Sequence, residues 1–360
     1  MIDLTQSNPT EVGLGAPPEL LELLADARGT VHTPEARGLP AAREAVARDF
    51  ARRGHLVEPG RVVLCTGSSE AYSWLFKLLC DPGDEVLVPR PSYPLFDFLA
   101  GLESVALRPY GLAYDGAWHV DLAALEEAVT PRSRAVVIVN PNNPTGSFLS
   151  RTEADRIQSF AARRQLALLC DEVFADFAFD PDPGHVTSLA ADGPTLAFAL
   201  GGLSKSCGLP QLKLGWIAVS GPPSLRAEAL ARLEIVADSY LSVGTPVQLA
   251  APEILRRLPE LQAPITNRVR RNLAALRAAI PPGSPASLLA ATGGWHALLQ
   301  VPATLPEEER TCRLLERDGV LVHPGFFFDF PREAYLVLSL LPRPDAFDRG
   351  VALLLADAAG

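Results

Sequence analysis

Between residues 61 and 220 the chain repeatedly follows a short, uninterrupted apolar run with a stretch of helical periodicity, and this alternation constrains the fold more than any other feature. RVVLCT (61–66), EVLVP (85–89), AVVIVN (135–140), LALLCD (166–171), TLAFAL (195–200) and LGWIAV (214–219) read as strands, with SEAYSWLFKLLC (69–80) and TEADRIQSFAARR (152–164) as helices among them. Strands that are apolar at every position suit a sheet covered on both faces. The expected class is therefore α/β, with a mostly parallel sheet sandwiched by helices in a large domain. A long helix is expected around 223–240, after which Gly244 and Pro246 mark a break, and the remainder reads as helix, hairpin and helix in a smaller α+β domain. The 360 residues give length for two such domains. The expected division is 31–245 for the large one and 246–360 for the small one, the latter joined by residues 1–30, which are too short to fold alone.

With 32 basic against 42 acidic residues the net charge is −10, and no long run of like charge occurs, so nucleic acid and anionic membrane are not expected partners. No stretch reaches the ~18 apolar residues of a membrane span, and the N-terminus lacks the order of a secretory leader, so the expected location is cytoplasmic. Five scattered cysteines show no paired spacing and are expected to be reduced core thiols. Of the 32 basic residues only Lys77, Lys205 and Lys213 are lysines. A lysine amine can lose its proton and attack a carbonyl, which a guanidinium does not do, so a lysine kept among arginines is a candidate for amine chemistry; genome composition is the plainer account.

Ligands of open α/β sheets bind beyond the carboxyl ends of the strands, and four such ends carry chemistry here. TGSSEA (66–71) is a small-residue turn into a helix, where backbone amides and the hydroxyls of Ser68 and Ser69 either hold a phosphate or simply cap the helix. No GxGxxG or GxxxxGK[ST] accompanies it, which argues against a nucleotide. NPNNPTG (140–146) is turn-forming, and its side-chain amides both donate and accept. Asp171 ends LALLC, either as a buried carboxylate in need of a partner or as an exposed turn acid. GGLSKSCGLPQLKLGW (201–216) puts Lys205 just after a strand, with Gly201, Gly202 and Gly208 letting a bulky group approach the backbone; a solvated loop lysine is the alternative.

In this order the four segments resemble the class I and II aminotransferases of pyridoxal-phosphate (PLP) fold type I. The likeness runs from SNPT near the start to VHPGFFF and VLSLL near the end, and NNPTG, DEVF and S-K-x-x-G-L-P are its most specific parts. It implies pyridoxal 5′-phosphate as cofactor, held as a Schiff base by Lys205, which once freed carries a proton between Cα and C4′. It implies that Asp171 pairs with the pyridinium nitrogen, that Asn143 holds O3′ and faces the substrate carboxylate, and that Tyr93 in PSYPLF stacks on the ring. Ser68, Ser69 and Ser204 join the cofactor contacts and Gly15 lies near the substrate.

Several positions depart from the family pattern. Phe174 replaces a tyrosine whose phenol bonds O3′, Gly202 a serine, and Lys213 a phosphate-binding arginine, while His32 replaces a tyrosine that reaches across from the partner subunit. Val337 in YLVLS stands where an arginine clamps the substrate carboxylate, which leaves Arg332, Arg343 or a donor lacking that carboxylate as alternatives. The resemblance also implies a homodimer, and ping-pong transfer of an amino group between an amino donor, an amino acid, and a 2-oxo acid. A PLP lyase or decarboxylase on the same fold, or a non-catalytic PLP-binding relative, are the other readings.

Overall fold

The computed structural model describes residues 1–241 and 243–360. Eight strands form the main sheet: β1 (Val62–Cys65), β2 (Glu85–Arg90), β3 (Ala106–Tyr114), β4 (Trp118–Val120), β5 (Ser133–Val139), β6 (Ala167–Asp171), β7 (Ala197–Gly202) and β8 (Gly215–Ser220). They lie in the order β1-β8-β7-β6-β5-β2-β3-β4, and only β4 and β8 run against the rest. All six apolar runs read from the sequence are strands of this sheet. β3 and β4 were not expected. They form the sheet edge, where β3 faces solvent at several positions and so tolerates Arg108, Pro109 and Gly111, which break the apolar pattern.

Alternating side chains of the inner strands bury against helices on two faces. On one, Val137, Leu169 and Phe198 pack with Tyr72, Leu75 and Phe76 of the helix Ser68–Leu79. On the other, Ile138, Leu168 and Cys170 meet Ile157, Phe160 and Ala161 of the helix Arg151–Arg164, whose start is secured by a Ser150/Glu153 capping box. Apolar packing continues across residue 245. Val247, Ala250, Ala251 and Ile254 of the helix Thr245–Arg256 bury in one cluster with Leu20, Leu64 and Trp216.

The second sheet holds β9 (Ser287–Leu288), β10 (His296–Gln300), β11 (His323–Pro324) and β12 (Tyr335–Ser339), antiparallel in the order β9-β10-β12-β11. One face packs on the helices Leu258–Ala279 and Pro344–Ala359 through Val269, Leu273, Phe347 and Val351. Ile2–Asp3 pairs with Val320–Leu321, which ties the N-terminus to this unit. The other face carries Leu298 and Val337 and meets Trp118 of β4, Phe328 and Phe330. The cysteines are unpaired; Cys65, Cys170 and Cys207 are buried, but Cys312 is exposed on the helix Glu307–Asp318 and is no core thiol. Among the described residues no helix is long and apolar enough to cross a membrane, and no cluster of metal-ligating side chains occurs.

Candidate active site

The carboxyl ends of β5, β6 and β7 open into a cavity of about 410 Å³, within the usual range for a small-molecule site. Ser68, Ser69, Tyr93, Asn143, Asp171, Phe174, Ser204, Lys205 and Lys213 all line it. Seven of them stand at the four strand ends singled out in the sequence, whereas Tyr93 and Phe174 enter through the family resemblance.

The first end is a helix start. Gly67 precedes the helix Ser68–Leu79 and supplies no side-chain cap, so the first amides of the helix and the hydroxyls of Ser68 and Ser69 stay available. The capping alternative for the two serines therefore fails, and amides with a dipole end face the cavity as a cradle for an anion. Lys213, in left-handed backbone (φ 52°), brings a cation to the same cavity.

The NPNNPTG turn divides its asparagines between structure and site. Asn140 donates to Val186 O at 2.6 Å and accepts from Leu149 N–H at 2.9 Å, while Asn142 accepts from the Thr145 hydroxyl at 2.9 Å. Both are spent on holding the loop. The Oδ1 of Asn143 is buried with no partner among the described residues, the condition expected of a group that awaits a ligand.

Asp171 closes β6 with its carboxylate inside the cavity and Glu172 turned away from it, as strand alternation requires. The Tyr72 hydroxyl donates to Asp171 Oδ2 at 3.2 Å and the Val173 amide donates to Oδ1 at 3.2 Å. Burial pushes the Asp171 carboxyl up to about 6, against the pull of the Val173 amide, the Tyr72 hydroxyl and Lys205. The exposed-turn alternative is excluded by this burial. Lys205 lies on the single turn Leu203–Ser206 directly after β7, and burial lowers its pKa while Asp171 opposes. Its Nζ sits 5.8 Å from the ring centre of Phe174 and 5.4 Å from that of Trp295. Gly201 and Gly215, on the strands beside it, are held small by their neighbours: a Cβ on Gly201 would lie 2.4 Å from the Trp216 indole nitrogen, and one on Gly215 would lie 3.0 Å from Gly67 Cα.

These groups fit PLP. The cradle at Ser68 suits a phosphate, the unspent Asn143 oxygen a ring hydroxyl, the buried Asp171 a ring cation, and the desolvated Lys205 amine an aldehyde.

Three expected residues lie elsewhere. Gly15 and His32 are exposed and do not line the cavity of this single chain. Val337 is fully buried among Leu298, Phe328 and Phe330, because an apolar side chain at that register sinks beneath Phe328 rather than projecting toward a ligand. Among the lining or supporting residues to which the sequence assigned no role are Tyr72, Trp295, His296 and His323. Tyr72 sits one helical turn after Ser68, which is a readable signal. The histidines lie within WH and VHPG, in segments whose strands are only two to five residues long.

The model of the family described as "Aminotransferase class I and II" matches residues 1–338. The chain is 28% identical over 359 residues to the glutamate-pyruvate aminotransferase AlaA of Escherichia coli (strain K12), covering 96% of this chain and 87% of that protein. It is 29% identical over 362 residues to the alanine aminotransferase of Mycobacterium tuberculosis (strain ATCC 25618 / H37Rv), covering 95% and 82%. The structure aligns with that of an aminotransferase from Escherichia coli with a TM-score of 0.87 at 26% identity, over 100% of this chain and 91% of that one.

Proposed function

The chain belongs to the class I and II aminotransferase family, whose cofactor is PLP, and from that membership we propose that Lys205 is the amine through which it moves amino groups between an amino acid and a 2-oxo acid. The observation that carries this reading is the convergence of the Lys205 amine, the Asp171 carboxylate and the unspent Asn143 oxygen in one buried cavity.

Bound PLP supplies an aldehyde carbon and an electron-withdrawing ring. Lys205 would hold that aldehyde and, when displaced by the donor's amine, would be the base that carries a proton between the donor's Cα and the cofactor's C4′; burial, which lowers its pKa, favours the neutral amine this task needs. Asp171, aligned by Tyr72 and the Val173 amide, keeps a proton on the ring nitrogen. Ser68, Ser69 and Lys213 hold the phosphate, Ser204 beside Lys205 joins these contacts, Asn143 orients the ring hydroxyl, and half-exposed Tyr93 covers the ring. Phe174 meets Trp295 edge to face at 5.2 Å and gives that side of the lysine an apolar wall.

We further propose a homodimer, in which exposed His32 reaches the partner's site, and a cytoplasmic location, in keeping with five unpaired cysteines.

The test is a half-reaction. Purified protein loaded with PLP is mixed with an amino acid and no 2-oxo acid. Conversion of the yellow cofactor to the pyridoxamine form, once per site, with reversal on adding a 2-oxo acid, is the expected result, and Lys205→Ala abolishes it. Continued product release without an oxo acid indicates a lyase instead, and no spectral response to any donor indicates a non-catalytic relative.

A further inference from the structure

The second sheet puts two histidines where the substrate would be gripped. In its register Leu298 and His323 both pair with Val337, and His296 pairs with Ser339. Cross-strand partners share a face, as do residues two apart on one strand, so His296, Val337 and His323 occupy one face with the valine between the histidines. Both imidazoles line the cavity together with Lys205 and Asn143, whereas Val337 is buried with Leu298 and Phe328 and does not line it. Their neighbours are aromatic: Phe328 stands 6.4 Å from His296 and 5.8 Å from His323 between ring centres, and neither imidazole makes a hydrogen bond among the described residues.

Cations do not compete for this end of the cavity. Among the described residues the lysine and arginine side chains lining it are Lys205 and Lys213, which already serve the aldehyde and the phosphate. Arg332 is exposed, and Arg343 is an exposed residue at the start of the helix Pro344–Ala359 that faces Gly13; neither lines the cavity. Of the two arginines nearest Val337 in the sequence, then, neither reaches the site within this chain.

From this geometry we infer that His296 and His323 bind the carboxylate of the amino-acid donor, one N–H from each ring replacing the two parallel N–H groups of a guanidinium. The inference rests on the amino-transfer reading and names the substrate contacts of the same site. Burial, Lys205 and His323 push His296 down to about 3, and burial lowers His323 against the pull of Asp3, so the empty site presents neutral rings. Neutral donors hold a carboxylate less firmly than a bidentate guanidinium does. The site therefore separates a donor carboxylate from its uncharged analogue less sharply than an arginine clamp does, and it depends on both rings to do so.

The experiment pairs L-alanine with L-alaninamide in the half-reaction, for the wild type and for His296→Phe and His323→Phe. Losing one hydrogen bond to a charged group raises the KM for L-alanine about 10- to 100-fold in each variant, with kcat changed far less and the KM for L-alaninamide nearly constant. His323→Asn, which keeps an N–H, recovers part of the loss. Independently, propionate is titrated into the PLP-loaded protein while the 15N imidazole signals of its six histidines are followed. Two signals shift together, and each is lost in one of the Phe variants. An unchanged KM for L-alanine in both variants, or propionate that moves neither signal, overturns the inference. If wild-type protein converts no donor while propionate still moves the two signals, the amino-transfer reading fails and the carboxylate site stands.

Discussion

Replacing Glu172 by glutamine separates the two carboxylates of the Asp-Glu pair by a measurement that needs no substrate. Glu172 is fully buried on the side of β6 away from the cavity, where Oε1 accepts the Leu189 amide at 2.7 Å and Oε2 has no hydrogen bond, with the nearest Arg53 nitrogen 3.9 Å off. Burial pushes its carboxyl up to about 7 from an ordinary 4.5, against the pull of Arg53 and the Leu189 amide. A carboxyl with a raised folded-state pKa binds its proton more tightly in the folded than in the unfolded chain. Its contribution to stability is therefore full below pH 4.5 and is lost as pH rises through 7. At about 1.4 kcal/mol per unit, this shift amounts to about 3 kcal/mol between pH 4 and pH 8. Glutamine does not titrate, so the stability of Glu172→Gln relative to wild type rises by that amount across the window, whatever constant offset the new amide adds. Urea unfolding of both proteins at intervals from pH 4 to 8 reads the difference directly. A difference that stays flat to within 1 kcal/mol, or slopes the other way, refutes the assignment of Glu172 as a buried structural acid.

Asn143→Ala removes the one unspent acceptor of its turn and is expected to weaken PLP binding about 10-fold, or roughly 1.4 kcal/mol, with little change in melting temperature of the cofactor-free protein; equilibrium dialysis against PLP checks it. Phe174→Tyr adds a hydroxyl beside Lys205 and is expected to lower the pH at which the yellow absorbance of bound cofactor titrates; a pH series of spectra that does not move counts against this placement of Phe174. Gly201→Ala drives a methyl to 2.4 Å from the Trp216 indole, and the overpacking is expected to cost about 1–3 kcal/mol in thermal or urea unfolding.

Much of this fold was legible because its signal is local. Apolar runs such as AVVIVN and LALLCD announce strands covered on both faces by their own composition, and the strand ends of an α/β sheet are where ligand groups belong, so Asn143, Asp171 and Lys205 stand out in the sequence itself. β3 was not legible, because an edge strand needs no continuous apolar pattern. Equally illegible was that Ile254 and Leu64, far apart along the chain, share one core, because such packing is not written in either segment.

What the sequence determined by itself is therefore the layered sheet and the chemistry at its strand ends, since both depend on residues near one another along the chain. Only the tertiary structure decided which asparagine of NPNNPTG is left unspent, that Tyr72 braces Asp171, and that Val337 sinks into an apolar cluster while His296 and His323 rise on either side of it. Those outcomes depend on strand order and register, which bring distant segments side by side, and no periodicity within a single segment encodes them.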